Sequence, residues 1–387
     1  MPQANFSTLF VREQPNGIHD ASSTITMFWP YVSEKVAPAI AETLKTRWIG
    51  QGPKVEAAEL KFSKMFNMPY VVTVNSCTSA LHLALILAGI DDGDEVVTTP
   101  MTCAATNTPI LYCKAKAVFA DIQSSTLNID PKDIEKKITQ KTKAIIVVHW
   151  GGYPCDMDEI MAIAKRHKIA VIEDAAHALG ASYKGNNIGT IGDYTCFSFQ
   201  AIKQITTGDG GILTVKDERI SKQAKLLRWY GIDRGFKSDT YWKYLIKEIG
   251  YKYGMNDIAA AMLIVQLDDL PEILKRRRAI AKRYREELAA IPGLTLLENK
   301  PDRQSGNWLF TVRTKNRDAF QNKLNNCGIE SSMVHVRCDI SPIFGGERQK
   351  GLPVLDEAEA EYISIPLHCK LTDDDVGKII NVIKSGW

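Results

Sequence analysis

Residues 171–211 read VIEDAAHALGASYKGNNIGTIGDYTCFSFQAIKQITTGDGG, and two pieces of this stretch decide how the rest of the chain is read. Val171, Ile172, Glu173 and Asp174 form a short apolar run that ends in carboxylates. This is the pattern of a buried strand delivering Asp174 at its C-terminal end. Further on, Lys203 stands between an apolar strand over 194–199 and a Thr-Thr-Gly-Asp-Gly-Gly turn. A lysine beside apolar groups is desolvated, which lowers its pKa and frees an amine able to attack a carbonyl.

A strand-end carboxylate and a desolvated lysine are the two groups that pyridoxal 5'-phosphate (PLP) chemistry needs. The lysine forms a Schiff base, and the aspartate keeps the pyridine nitrogen protonated. The same pair also arises without that meaning, as a surface lysine and a strand-end aspartate in any α/β protein.

The strings EDAAHALGA, CFSFQAIKQITTGDGG, VNSCTSALHLAL and HWGGYPCDMDEI narrow the choice. With these motifs in this order, the chain from about residue 40 to the C-terminus resembles the DegT/DnrJ-type (StrS-like) nucleotide-sugar aminotransferases, a branch of the aspartate aminotransferase fold superfamily. The resemblance implies an α/β protein of PLP-transferase fold type I. A mostly parallel central sheet is expected between layers of helices, with a smaller C-terminal α+β domain. We expect a large PLP-binding domain with an N-terminal arm over 1–255, then a long linking helix and the small domain over 256–387.

Residues 70–74 read as a strand that runs into Asn75-Ser76-Cys77-Thr78-Ser79 and an apolar helix over 80–88. Strand, small polar turn and helix N-terminus make a ready anion site, although such a turn is as often an ordinary N-cap. The resemblance assigns it to the cofactor phosphate through Cys77 and Thr78, with Cys77 acting through its backbone because many relatives have Gly there. It likewise implies that Ser198 binds phosphate and that His177, where many relatives have Gln, contacts the region of the ring hydroxyl. Lys203 and Asp174 are the catalytic pair. Cys103 falls where many relatives carry an aromatic ring stacked on the pyridine. Lys252 falls where relatives carry an Asn that reaches the phosphate of the partner subunit's cofactor.

Of the 387 residues, 45% are hydrophobic and 24% charged, which is ordinary for a soluble globular protein. The net charge of +3 gives no bias toward nucleic acid or a membrane surface. No stretch approaches the roughly 20 apolar residues that cross a bilayer. The opening MPQANFSTLFVREQPNG lacks a basic region followed by an apolar one, so it does not read as a signal peptide. Eight scattered cysteines form no CxxC pair, which disfavours a metal site and reads as reduced cytoplasmic thiols.

Strands are expected over 95–99, 117–120, 144–148 and 212–215, with helices over 32–45, 54–66, 103–112, 131–138, 157–166 and 220–229. This alternation predicts a sheet covered on both faces, with ligands at the strand C-terminal ends. An apolar helix over 258–270 is expected to break at Pro271 before a basic helix over 276–289, with Lys275 to Arg278 on a solvated face. Short strands over 294–297 and 308–312, a helix over 317–327, an extended 331–336 and a helix over 373–384 complete the chain. Residues 1–30 read as an arm, and 235–250 as an irregular region bordering a site.

The resemblance implies that an amino group passes from L-glutamate to a keto-sugar carried on a nucleotide diphosphate, with the ketone at C4 or C3. The product is an amino sugar for a surface polysaccharide such as lipopolysaccharide O-antigen, or for a glycosylated product. A homodimer with shared active sites is expected, with no nucleic acid or membrane partner. The alternatives are a PLP-dependent sugar dehydratase, which would replace the lysine by His or add an iron–sulfur cluster, and a non-catalytic regulatory member of the same fold.

Overall fold

The computed structural model describes residues 24–233, 246 and 248–387. Most of the expected arm and most of the 235–250 region lie outside these residues. Helices α1 (Val36–Lys45) and α2 (Pro53–Phe66) lead into an alternation: β1 (Tyr70–Val74), α3 (Cys77–Leu87), β2 (Glu95–Thr98), α4 (Ala104–Tyr112) and β3 (Lys116–Phe119). It continues with α5 (Pro131–Lys137), β4 (Thr142–Val148), α6 (Met157–His167) and β5 (Ala170–Asp174). A small hairpin, β6 (Ser182–Tyr183) and β7 (Asn186–Asn187), precedes β8 (Tyr194–Ser198), β9 (Gly211–Val215) and α7 (Glu218–Leu227).

One seven-stranded sheet has the order β1-β9-β8-β5-β4-β2-β3. Every pairing from β8 across to β3 is parallel, and β9 runs antiparallel to both its neighbours. The strands are apolar without alternation because both faces are covered. Side-chain parity divides them: Val71, Ile145, Val147, Val171 and Phe197 pack on one face with Phe62, Ile160 and Leu263, while Val72, Ile146, Ile172 and Leu213 pack on the other with Leu81, Leu85 and Leu227.

Helix α8 (Asp257–Leu288) follows as one element of 32 residues. The expected break at Pro271 does not occur. Proline removes one N–H from the helix ladder, but Pro271 is exposed, while Leu267, Leu270, Ile273 and Leu274 around it are buried and hold the axis. The first half of α8 packs on the large sheet. Its second half, with Ile280, Tyr284 and Leu288, belongs to a separate core under the C-terminal segment. There β10 (Thr295–Leu296), β12 (Phe310–Arg313) and β13 (Tyr362–Ile365) form a small antiparallel sheet, while β11 (Arg303–Gln304) joins the β6–β7 hairpin. Helices α9 (Arg317–Asn326), α10 (Pro353–Glu361) and α11 (Asp373–Lys384) complete this part. The expected extended segment 331–336 forms only a single bridge, Ser332 to Ser364.

Of the basic run on α8 only Lys275 is on a solvated face; the three arginines after it turn toward the protein. Arg277 is buried and donates to the carbonyls of Asn307 and Leu367, Arg278 donates to Gly180, and Arg276 pairs with Asp373. Burial without a facing carboxylate pulls the Arg277 pKa down to about 10. No helix among the described residues is long and apolar enough to cross a membrane.

Candidate active site

The C-terminal edge of β1, β8 and β5 gathers the residues singled out from sequence. Gly211 at the start of β9 sits between Val74 and Ser198 in register. A Cβ on Gly211 would come within 2.6 Å of the Ser76 carbonyl carbon and 2.7 Å of the Cys77 nitrogen, so only glycine lets β9 lie against the start of α3. Ser76 caps that helix: its Oγ accepts from Ser79 N–H at 3.1 Å, and its carbonyl accepts from Ala80 N–H. The amides of Cys77 and Thr78, the first helical residues, have no acceptor within the helix. Burial pushes the Cys77 thiol well up, so it stays protonated and its backbone is the polar group it offers. Ser198 ends β8, buried, with its Oγ accepting from Gln200 N–H at 3.3 Å.

Asp174 ends β5 and is 4% exposed. Its Oδ1 accepts from Ala176 N–H at 3.0 Å and its Oδ2 from the Thr106 hydroxyl at 2.7 Å. Burial raises the Asp174 pKa, and the two hydrogen bonds together with Lys203 offset only part of that rise. Glu173 beside it is fully buried, accepting from Gly192 N–H, the Thr195 hydroxyl and His149 Nε2. His149 Nδ1 takes the Cys155 N–H, which leaves Nε2 to donate to Glu173.

Lys203 lies on a loop tied to itself: Lys203 N–H reaches Gln200, Thr207 N–H reaches Phe199, and Phe199 N–H reaches Gly210. The side chain is buried, and desolvation lowers its pKa to about 8 against the pull of Asp174, Cys77 and Cys103. Those three groups therefore share one space with the ammonium. Burial outweighs mutual attraction at both Lys203 and Asp174. Lys203 Nζ stands 3.7 Å from the centroid of the Trp308 ring, a contact that favours the cation.

His177 is 3% exposed and stacks on Trp308 at 3.8 Å between centroids. His335 lies parallel to it at 5.6 Å. His177 Nδ1 and His335 Nε2 are buried polar atoms without a partner among the described residues. Burial drives the His177 pKa well below its usual value and that of His335 down to about 4. Cys103 is the N-cap of α4 and half-exposed toward the same space. Lys252 is the exception. It is exposed, with Nζ 3.7 Å from the Trp229 ring centroid, and only its backbone touches the edge, through Asn75.

Trp308, His335, Thr106 and Gln204 were not singled out from sequence as site residues. Gln204 braces the site by donating to the His177 carbonyl at 2.7 Å. Trp308 and His335 come from the C-terminal segment, far along the chain from Lys203, and no local pattern marks them. Thr106 was a findable signal, because it lies in the segment after β2 that also supplies Cys103.

A buried amine, a buried carboxylate, free helix-start amides, a serine hydroxyl and an orphaned imidazole nitrogen are the donor set of a cofactor that carries an aldehyde, a ring nitrogen and a phosphate. Fold and site together define a transaminase. The description "DegT/DnrJ/EryC1/StrS aminotransferase family" matches residues 30–384, and the chain belongs to this family, which is PLP-dependent. It is 36% identical to the spore coat polysaccharide biosynthesis protein SpsC of Bacillus subtilis, over 92% of this chain and 95% of that protein. It is similar to the crystal structure of the sugar aminotransferase CalS13 from Micromonospora echinospora, with a TM-score of 0.89 and 35% identity over 94% of this chain and 100% of the other. It also matches the PLP-form of a putative sugar aminotransferase, Spr1654 from Streptococcus pneumoniae, with a TM-score of 0.87 and 31% identity over 94% of this chain and 98% of that one.

Proposed function

We propose that this sugar aminotransferase takes its amino group from L-glutamate and delivers it to a keto-sugar carried on a nucleotide diphosphate, with the ketone at C4. C3 is the alternative position. The observation that carries the reading is Lys203, buried in the field of Asp174 with its pKa lowered by desolvation to about 8. When bound, PLP supplies an electron sink for the carbon that loses its proton. The chain supplies the rest. Lys203 holds the cofactor and, once released, moves a proton as general base. Asp174 keeps the ring nitrogen cationic. The amides of Cys77 and Thr78 and the Ser198 hydroxyl hold the phosphate, His177 Nδ1 meets the ring's polar edge, and Cys103 covers its face.

Lys252 reaches the phosphate of a second copy's cofactor. Its exposed side chain supports that assignment and a homodimer with shared sites, as do exposed Leu44, Trp48 and Ile49 at one end of α1. A division into 1–255 and 256–387 is supported by the separate core that the second half of α8 shares with the C-terminal segment, while its first half packs on the large sheet. Likeness to SpsC, named for spore coat polysaccharide biosynthesis, supports a role in making an amino sugar for a surface polysaccharide.

Borohydride reduction of the PLP-loaded protein followed by peptide mass mapping tests the reading. The added mass is expected on Lys203, and Lys203→Ala is expected to lose both the cofactor's visible band and all turnover. An adduct on another lysine, or turnover retained in Lys203→Ala, would overturn it.

A further inference from the structure

The threonine that donates to Asp174 is backed by a second buried threonine. Thr106 Oγ1 lies 2.7 Å from Asp174 Oδ2, and Thr102 Oγ1 lies 2.7 Å from Thr106 Oγ1. Both threonines are 1% exposed. An ionised carboxylate can only accept, so the Thr106 O–H points at Asp174. Having committed its one proton, Thr106 Oγ1 accepts from the Thr102 O–H. Hydroxyls aligned head to tail in a dry interior polarise one another. We propose that Thr102 and Thr106 are positioning residues that fix the orientation and charge of the Asp174 carboxylate toward the cofactor's ring nitrogen, as a two-hydroxyl relay at the start of α4. The proposal rests on the reading of the site as a PLP site.

Neighbouring contacts hold the relay in place. Asn107, next in the chain to Thr106, accepts from the Thr98 hydroxyl at 2.8 Å and donates to the Thr99 carbonyl at 3.0 Å, which pins the start of α4 to the end of β2. The Thr102 carbonyl accepts from the Cys338 thiol at 3.1 Å, and the Thr102 N–H reaches Pro100. Asp174 Oδ1 is already held by Ala176 N–H, so Oδ2 is the oxygen the relay governs. The titratable groups facing Asp174 from other elements are Lys203, Cys77 of α3, Cys196 of β8 and His149 at the end of β4. Among the described residues, Thr106 alone donates a hydrogen bond to Oδ2.

The test compares holoenzymes carrying Thr106→Val, Thr106→Ser and Thr102→Val with the wild type. Two quantities are read: the cofactor dissociation constant, and the pH midpoint of the bound cofactor's visible band. Thr106→Val is expected to move the midpoint by about one pH unit and weaken cofactor binding about tenfold, the scale of one lost hydrogen bond to a charged group. Thr106→Ser, which keeps the donor, is expected to restore both. Thr102→Val is expected to move the midpoint the same way by less, and it carries the test alone if Thr106→Val does not fold. A purely packing role would lower the melting temperature of Thr106→Val and leave the midpoint in place, which overturns the relay, as does a Thr106→Ser midpoint displaced like that of the valine variant. A wild-type protein that binds no PLP would instead overturn the reading of the site, and the relay with it.

Discussion

Burial acts on Lys203 and Asp174 in opposite chemical senses. It makes the amine easier to deprotonate and the carboxylate harder to ionise. Only the unprotonated amine attacks an aldehyde, so capture of PLP by the cofactor-free protein should accelerate as pH rises through about 8 and level off above it, well below the 10.5 of an ordinary lysine. Stopped-flow absorbance across pH 6 to 11, a span of roughly this width being needed to separate the two midpoints, measures this directly. A rate still climbing near the ordinary lysine value would mean that Lys203 is not the attacking group or is not desolvated. Both residues were legible because each sits at the end of an apolar run in one stretch of sequence. Trp308, whose ring faces the Lys203 ammonium, was legible only as the start of a strand. Its meeting with Lys203 is made by tertiary packing, which no local pattern encodes. Lys252 is a different case: its sequence position suggested a contact to the partner subunit's cofactor, and within one chain its side chain lies over Trp229.

Elements meet at this site through backbone contact as much as through side chains. The approach of β9 to the start of α3 depends on Gly211, because the atoms a methyl group would strike are backbone atoms of Ser76 and Cys77 that cannot rotate aside. Gly211→Ala is therefore expected to destabilise the protein by on the order of 1–3 kcal/mol and to weaken PLP binding, because the amides it displaces are those assigned to the phosphate. Thermal unfolding and a PLP titration check this; an unchanged melting temperature with unchanged affinity would contradict it. Strands were well marked in the sequence: β1 spans the residues expected, and the other sheet strands differ by a residue or two at their ends. The failure at α8 is instructive. Pro271 read as a break, yet a proline on an exposed face costs one hydrogen bond that water can replace, while the buried leucines on either side gain more by staying in register.

At the scale of the whole molecule, α8 is the member that belongs to both cores, and Arg277 ties it by carbonyl contacts to the segment that carries Trp308. The C-terminal part thereby lays Trp308 and His335 over the site built on the large sheet. This arrangement leaves an amine, a carboxylate and two imidazole nitrogens without a partner among the described residues facing one space. What such a space does to a substrate is a property of the assembled protein, and the half-reactions read it out. The PLP-loaded enzyme should lose its visible band on addition of L-glutamate. Freed of glutamate and mixed with a panel of nucleotide-linked 3-keto and 4-keto sugars, it should recover the band with one 4-keto class. Recovery with a 3-keto sugar would move the acceptor position and leave the chemistry intact. A band that does not respond to glutamate, or that no keto-sugar restores, would contradict the account.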